Sequence, residues 1–247
     1  MVAAIPEVGT ALPADRMRPR TLRDSTMIFR GLLGQKDMPT FLNISMSLDG
    51  FVAGANATLE EPLGEGGEQL HEWIVGLESW REQHGLEGGE TNPDDELVRE
   101  TVKRTGAFVM GRRMFSGGEG PWDDDPNPNG WWGDDPPFDA PVFVVTHHER
   151  EPLTLGTTTF TFVEGVEAAL GLARDAAGEK DVQVSGGASV AQQALDAGLL
   201  DELHIHVAPV LLGSGVRLFE DPQRKPIELV RTVGSAGVTH LEYRVGS

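Results

Sequence analysis

The sequence contains no cysteine among its 247 residues. Disulfide bonds, thiolate nucleophiles and cysteine-ligated metal centres are therefore excluded. It also has no apolar run near the roughly 18 residues that a membrane-spanning helix needs, and charged residues occur where a signal peptide requires an apolar core. These absences predict a cytoplasmic protein that does not use a membrane.

Basic residues are scarce, with 20 Lys and Arg against 39 Asp and Glu and a formal net charge of −19. Nucleic acids and anionic membranes are bound mainly through Lys and Arg, so neither is expected as a partner. An anionic ligand would have to be held locally, by backbone N–H groups and a few arginines. Residues 1–37 mix Pro, Gly and Arg without a sustained period, which predicts a flexible leader before a domain at 38–247.

The most informative stretch is Asp181–Leu195. A β-branched run ends at Ser185, Gly186 and Gly187 follow, and helical spacing begins at Ala188. The first turn of such a helix has unpaired N–H groups and a positive dipole end, and the glycines have no side chains to keep a diphosphate away. The alternative is a tight strand-to-helix turn that binds nothing.

Two further strands end at similar turns. The first precedes Asp49-Gly50, and the second, Ala107–Gly111, is followed directly by Arg112 and Arg113. Arginine side chains match phosphate geometry, and a pair of them at a turn is unusual in so acidic a protein. A fourth strand, Pro141–Thr146, ends beside two histidines.

Two long stretches separate these strands, and we interpret residues 55–92 and 117–139 as insertions. In the first, apolar residues recur at helical spacing from Leu70 to Trp80, which predicts one amphipathic helix with His71 as a surface residue beside its polar side. The second contains three tryptophans and five prolines, which predicts an irregular loop. Its tryptophans either roof a pocket or simply pack on the body of the protein.

Pairs of histidines raise a metal hypothesis. His147 and His148 are adjacent on a strand end and point to opposite sides, whereas His204 and His206 share one face of a strand. Neither pair has a third ligand in register, so no metal is expected. A metal-dependent protein that uses His147, His204 and His206 is the weakest of three functional hypotheses.

Four segments together resemble the dihydrofolate reductase superfamily, closest to stand-alone relatives of the riboflavin-biosynthesis reductase domain, across residues 39–246. They are Ser47–Gly54, Met110–Phe115, Ser185–Gly187 with its helix start, and Asp201–Gly213. The resemblance implies an α/β fold with a central mixed, mostly parallel sheet flanked by helices. It also implies NADPH bound along the strand ends, and often a homodimer. The residue pattern itself predicts a C-terminal antiparallel hairpin.

The same resemblance implies roles for individual residues. Asp95 precedes Gly111 by the sixteen residues at which dihydrofolate reductases carry their substrate-binding acid, which makes it the candidate catalytic residue. The implied cofactor contacts are Ala53 near the nicotinamide; Gly111, Arg112 and Arg113 near the diphosphate or 2′-phosphate; Thr146 and His147 near the adenosine ribose; and Gly186, Gly187, Ala188 and Ser189 under the diphosphate.

The leading hypothesis is an NADPH-dependent reductase that transfers hydride to a small heterocyclic or carbonyl substrate, pterin-like or like a riboflavin precursor. The two arginines favour NADPH over NADH because they match the charge of a 2′-phosphate. Arg112→Ala is therefore expected to weaken NADPH binding far more than NADH binding. The alternative is a dinucleotide-binding protein without turnover.

Overall fold

The structure is a computed structural model, and it describes residues 38–58, 61–220 and 225–246. Residues Met38–Ser247 form one compact unit. The leader expected at 1–37 lies outside the described residues. No helix in the described ranges is long and apolar enough to cross a membrane.

The described elements alternate strands with helices through most of the chain. The strands are β1 (Thr40–Ser47), β2 (Phe51–Gly54), β3 (Thr105–Gly111), β4 (Val142–Val145), β5 (Leu153–Leu155), β6 (Thr158–Val163), β7 (Asp181–Gly186), β8 (Glu202–Ala208), β9 (Gly215–Arg217), β10 (Ile227–Gly234) and β11 (Thr239–Val245). The helices are α1 (Glu72–Val75), α2 (Glu78–Gln83), α3 (Pro93–Arg104), α4 (Arg112–Ser116), α5 (Val166–Ala177) and α6 (Ala188–Asp196), with 3₁₀ turns at Gly67–Leu70 and Trp122–Asp124.

Nine of these strands form one sheet in the order β10-β11-β8-β1-β7-β3-β4-β6-β5, and β2 pairs with β9 in a small second sheet. Strand β1 lies between β8 and β7 and is parallel to both, and β3, β4 and β6 continue the parallel part. The β10–β11 hairpin is antiparallel and joins the sheet through β8. The predicted fold is confirmed, including the C-terminal hairpin.

Helix α3 shows how local sequence fixes an element. The Asn92 side chain accepts hydrogen bonds from the backbone N–H groups of Asp94 and Asp95, at 2.9 and 3.0 Å, and Pro93 occupies the first turn. Acidic residues in the first turn and basic residues in the last complement the helix dipole. The helix therefore begins and ends where its capping residues predict.

The prediction of a single helix between Leu70 and Trp80 is wrong. The chain forms a 3₁₀ turn and then two short helices, α1 and α2, separated by Gly76 and Leu77. Leu77 adopts an extended conformation, with φ −75° and ψ 145°, and its side chain is buried. The burial of Leu77 in the folded protein thus favours an extended residue where the sequence period predicts helix. The chain changes direction at this point, between α1 and α2.

Candidate active site

A cleft of about 1050 Å³ opens where β3, β4 and β7 reach their carboxyl ends. Parallel strands place these ends at one edge of the sheet, where ligands of open α/β sheets commonly bind. The cleft brings together all ten residues that the sequence assigned to the cofactor. They are Ala53, Gly111, Arg112, Arg113, Thr146, His147, Gly186, Gly187, Ala188 and Ser189.

Glycines let two of these strand ends approach each other closely. A Cβ atom on Gly111 would lie 3.2 Å from Val190 Cγ2 and 3.5 Å from the backbone nitrogen of Gly187. Gly186 has φ +127°, a conformation that other residues rarely adopt, and the Gly186–Gly187 peptide bond is cis. A Cβ atom on Gly187 would meet no heavy atom of the described chain within 4 Å. Gly187 therefore faces open space in the cleft.

Helix α6 begins directly after Gly187, and no side chain of the described residues caps it. The backbone oxygen of Gly187 accepts hydrogen bonds from Val190 and Ala191, at 3.1 and 3.2 Å. The N–H groups of the first turn carry the positive end of the helix dipole and have no competing acidic side chain in that turn. This helix start is suited to an anionic group such as a diphosphate.

The two arginines that follow β3 have different environments. Arg112 is buried, with its guanidinium 3.4 Å from the centroid of the Trp122 ring, and it pairs with the buried carboxylate of Asp125. Ser116 donates to the same carboxylate at 2.8 Å. Arg113 has a side chain that is 68% exposed and pairs with Glu119 at the surface. Arg112 therefore holds the 117–139 loop, and Arg113 remains accessible to a ligand.

The 117–139 loop packs on the body of the protein and lines the cleft. The indole N–H of Trp131 donates to the backbone oxygen of Met114 at 3.0 Å, and that of Trp122 donates to the backbone oxygen of His148 at 3.0 Å. Trp131 and Trp132 both face the cleft. The two interpretations of these tryptophans therefore hold together, because the same loop is packed and forms a wall.

The structure places Asp95 away from the cleft. Its buried carboxylate accepts hydrogen bonds from the backbone N–H of Ser79 at 2.7 Å and from Arg99 Nε at 2.9 Å. Burial raises the pKa of Asp95, but the hydrogen bonds from Ser79 and Arg99 outweigh it and leave this pKa below its ordinary value. An ionised carboxylate that joins α2 to α3 has a structural role, so we do not carry forward the catalytic role expected for Asp95.

The neighbouring Asp94 belongs to a buried polar chain formed by Asn43, His206, His240 and Asp94. Asn43 Oδ1 lies 2.7 Å from His206 Nε2, the Nδ1 atoms of His206 and His240 are 2.7 Å apart, and His240 Nε2 lies 3.1 Å from Asp94 Oδ1. The Trp73 ring contacts both histidines, at centroid distances of 5.1 and 5.0 Å. This chain joins β1, β8, β11 and α3 under one indole.

Burial dictates the protonation of this chain. Burial lowers the pKa of His206 well below its ordinary value, and burial also lowers the pKa of His240 although Asp94 opposes the shift. With a proton on Nε2, neutral His240 donates to the Asp94 carboxylate.

The histidines of the metal hypothesis do not come together. His204 Nε2 lies 3.0 Å from Glu202 Oε2, whereas His147 is 88% exposed and lies beside Glu164. In the part of the chain that the structure describes, no three His, Asp or Glu side chains are grouped as metal ligands.

His71 is the cleft residue that sequence reasoning missed. It lines the cleft together with Ile44 and Ser45, and its Nδ1 atom is buried without a hydrogen-bond partner among the described residues. Burial lowers the pKa of its ring. Helical periodicity had placed His71 on the surface, and the break in that helix removes the basis of the prediction. No signal in the sequence points to its position.

Comparison with known proteins identifies the family. The family model of the RibD C-terminal domain matches residues 40–240. The chain belongs to the RibD C-terminal domain family. This match confirms the resemblance that the sequence motifs indicated, and it covers most of the RibD C-terminal domain protein described here.

Similar proteins are found at modest sequence identity. The uncharacterized protein YyaP of Bacillus subtilis strain 168 is 39% identical over 66 residues, which are 26% of this chain and 35% of YyaP. A candidate riboflavin biosynthesis protein from Shewanella sp. PV-4 aligns at 21% identity and TM-score 0.55, covering 85% of this chain and 100% of its own. A diaminohydroxyphosphoribosylaminopyrimidine deaminase/5-amino-6-(5-phosphoribosylamino)uracil reductase from Thermotoga maritima aligns at 16% identity and TM-score 0.51, covering 89% of this chain and 60% of its own. At these identities the two structures establish the fold alone.

Proposed function

We propose that this protein is an NADPH-dependent reductase that transfers hydride to a small heterocyclic or carbonyl substrate, pterin-like or like a riboflavin precursor. The observation that carries the proposal is the single cleft that collects the glycine strand ends, the start of α6 and an accessible arginine. Membership of the RibD C-terminal domain family supports reductase chemistry. Domain bounds of 38–247, with insertions at 55–92 and 117–139, are part of the proposal.

The cleft residues fit a nicotinamide dinucleotide by shape. The space that a Cβ would fill at Gly187, beside the uncapped start of α6, suits a diphosphate, with Ala188 and Ser189 supplying backbone N–H groups. Ala53 would border the nicotinamide, and Thr146 and His147 the adenosine ribose. The cofactor would supply the hydride, and the protein would hold the cofactor in position and exclude competing reactions.

Selection of NADPH over NADH is assigned to Arg113 rather than Arg112. The Arg112 guanidinium is already engaged by Asp125 and Trp122, whereas Arg113 is exposed and, among the described residues, pairs with one surface glutamate. An exposed pair of that kind contributes little and exchanges readily for a phosphate. Arg113 can therefore turn toward a 2′-phosphate at small cost.

The test is a fluorescence titration with NADPH and with NADH, since Trp131 and Trp132 line the cleft and report on its occupancy. We expect saturable NADPH binding and weaker NADH binding. In Arg113→Ala we expect NADPH to bind about tenfold more weakly, a change of about 1.4 kcal/mol, and NADH to be affected less than about twofold. Failure of both nucleotides to bind at millimolar concentration would refute the proposal.

A dinucleotide-binding protein without turnover is the second candidate. The observation that favours it is the position of Asp95, whose carboxylate joins α2 to α3 outside the described lining of the cleft. A panel of pterins, flavin precursors and quinones distinguishes the two candidates by absorbance of NADPH. Tight NADPH binding without oxidation by any member would favour this second candidate.

A homodimer in the cytoplasm completes the proposal. Strand β10 lies at one end of the sheet and exposes Ile227, Leu229 and Val230, each by more than half of its surface. Exposed apolar edge strands pair readily with another chain unless they are covered. Sedimentation velocity would measure whether a second copy covers this edge.

A further inference from the structure

The reaction proposed above needs a proton as well as a hydride. Six residues of the described cleft lining carry side chains that gain or lose protons or bear charge: His71, Arg112, Arg113, Glu119, His147 and His148. Five of them follow β3 or β4. His71 alone lies on the β1 and β2 side, and β7 separates that side from the others.

The backbone of His71 is fixed against the strand that carries Ala53. The 3₁₀ turn Gly67–Leu70 ends at His71, whose N–H donates to the Glu68 oxygen at 2.9 Å. A Cβ on Gly67 would lie 3.3 Å from the Gly54 nitrogen and 4.0 Å from Ala53 Cα, and Leu70 is fully buried. The turn that ends at His71 is therefore packed against β2, and His71 lines the same cleft as Ala53, the residue assigned to the nicotinamide.

The ring of His71 also has an unmet hydrogen-bonding requirement. Its Nδ1 atom is buried and makes no hydrogen bond of ordinary geometry in the described ranges, although the Gly67 backbone is close enough to the ring to oppose the lowering of its pKa. An unpaired polar atom in a buried position destabilises the folded protein, and such an atom calls for a specific explanation. His71 lines the cleft, so a turn of its ring toward the cleft would let the reacting oxygen or nitrogen of a substrate meet that requirement.

From this position and this unpaired nitrogen we infer that His71 is the catalytic proton donor to the substrate, an inference that rests on the proposed reductase function. In the reaction, the substrate carbon gains hydride and its C=O or C=N electron pair moves to the heteroatom. That heteroatom takes the proton of the His71 imidazolium, which becomes neutral imidazole. The overall balance is substrate plus NADPH plus H⁺ giving reduced substrate plus NADP⁺, and His71 regains its proton from water in the open cleft.

The pH dependence follows from the surroundings of His71. Burial lowers the pKa of His71 below its ordinary value of 6.5, so the donor form increases as the pH falls below that value. The titratable and charged groups around it are His206 on β8 and, across the cleft, Arg112, Arg113, Glu119, His147 and His148. We expect turnover to rise toward acidic pH with an inflection below 6.5.

The deciding experiment is histidine side-chain NMR on the full chain, with His71→Gln used to assign the His71 signals. NADPH at a concentration that saturates the fluorescence titration should shift the His71 ring signals, and their pH titration should give a pKa below 6.5. If NADPH saturates and the His71 signals do not move, this inference is overturned and cofactor binding stands. If NADPH does not bind at all, the proposed function fails and this inference fails with it.

A kinetic arm applies to any panel member that the wild-type protein reduces. His71→Gln should lower kcat at least tenfold and remove the acidic inflection, with NADPH Kd changed less than twofold. His84→Gln is the matched control, because His84 is exposed and stacks on Trp80 outside the cleft. An unchanged kcat and pH profile in His71→Gln would overturn the inference.

Discussion

The glycine-lined side of the cleft and the buried polar chain are built in different ways. The first is formed by backbone at strand ends, with glycines such as Gly111, Gly186 and Gly187 that leave room for a ligand. The second is formed by side chains from four separate elements that satisfy one another beneath Trp73. A site formed by consecutive backbone residues can be predicted from a short sequence motif. A site formed by side chains that are distant in the sequence can be recognised only once the fold is known.

The largest expected effect concerns Arg112, which lines the cleft but is bonded like a core residue. Arg112→Ala leaves the buried Asp125 carboxylate unpaired, and loss of one partner of a buried ion pair costs about 3–5 kcal/mol. Urea unfolding measures this loss of unfolding free energy. Arg113→Ala is the control, and its surface position predicts a change within about 0.5 kcal/mol. If Arg112→Ala left stability unchanged and weakened NADPH binding more than NADH binding, Arg112 would be a phosphate-binding residue, as the sequence predicts.

The next effect concerns the buried polar chain. The folded-state pKa of His206 lies below its unfolded value, so the unfolded chain binds more protons as the pH falls below about 6.5. Stability should therefore be full above that pH and decrease below it, by at most about 1.4 kcal/mol per pH unit for this histidine.

The measurement is the free energy of unfolding from pH 7.5 to 5.5 in wild-type protein and in His206→Gln. The charged and titratable groups facing His206 are His240, His204 and His71, with Asp94 behind His240. Because His71 and His240 also have lowered pKa values, the variant should lose only part of the slope. Identical slopes would show that His206 is not buried in neutral form.

The smallest effect concerns the backbone side of the cleft. A methyl group on Gly187 meets open space, so Gly187→Ala should fold with Tm changed by less than roughly 2 °C. The same methyl group should weaken NADPH about tenfold, or about 1.4 kcal/mol, by keeping the diphosphate from the start of α6. Gly234→Ala is the matched control, because no heavy atom of the described residues lies within 4 Å of its Cβ position and Gly234 ends β10, outside the cleft lining. Equal NADPH affinity in both variants would contradict the diphosphate site.

These contrasts explain what could be predicted from the sequence. The strands, the C-terminal hairpin and α3 follow from apolar runs, turn residues and capping residues that lie within a few positions of each other. The ten residues assigned to the cofactor could be predicted to lie together because each belongs to a short segment at a strand end, and all ten line one cleft.

The rest depends on contacts between distant segments. Asp94 and Asp95 are adjacent acids at a helix start, and only the packed structure shows that one meets His240 and the other meets Ser79 and Arg99. His71 was placed on the surface because a helical period was continued through Gly76, where the chain in fact turns. Neither the contacts of the two acids nor the position of His71 can be predicted from nearby residues in the sequence.

The place of β1 in the sheet has a consequence for synthesis of the chain. Thr40 pairs with Val182 and Asn43 with His204, so β1 is made early and both of its neighbours in the sheet come roughly 140 to 160 residues later. At about 5–20 residues per second, a ribosome needs on the order of 10–30 s to supply them. During that interval the apolar side chains and the backbone hydrogen-bonding groups of β1 have no partner strand. Chaperone binding to nascent chains should therefore concentrate on Phe41–Met46.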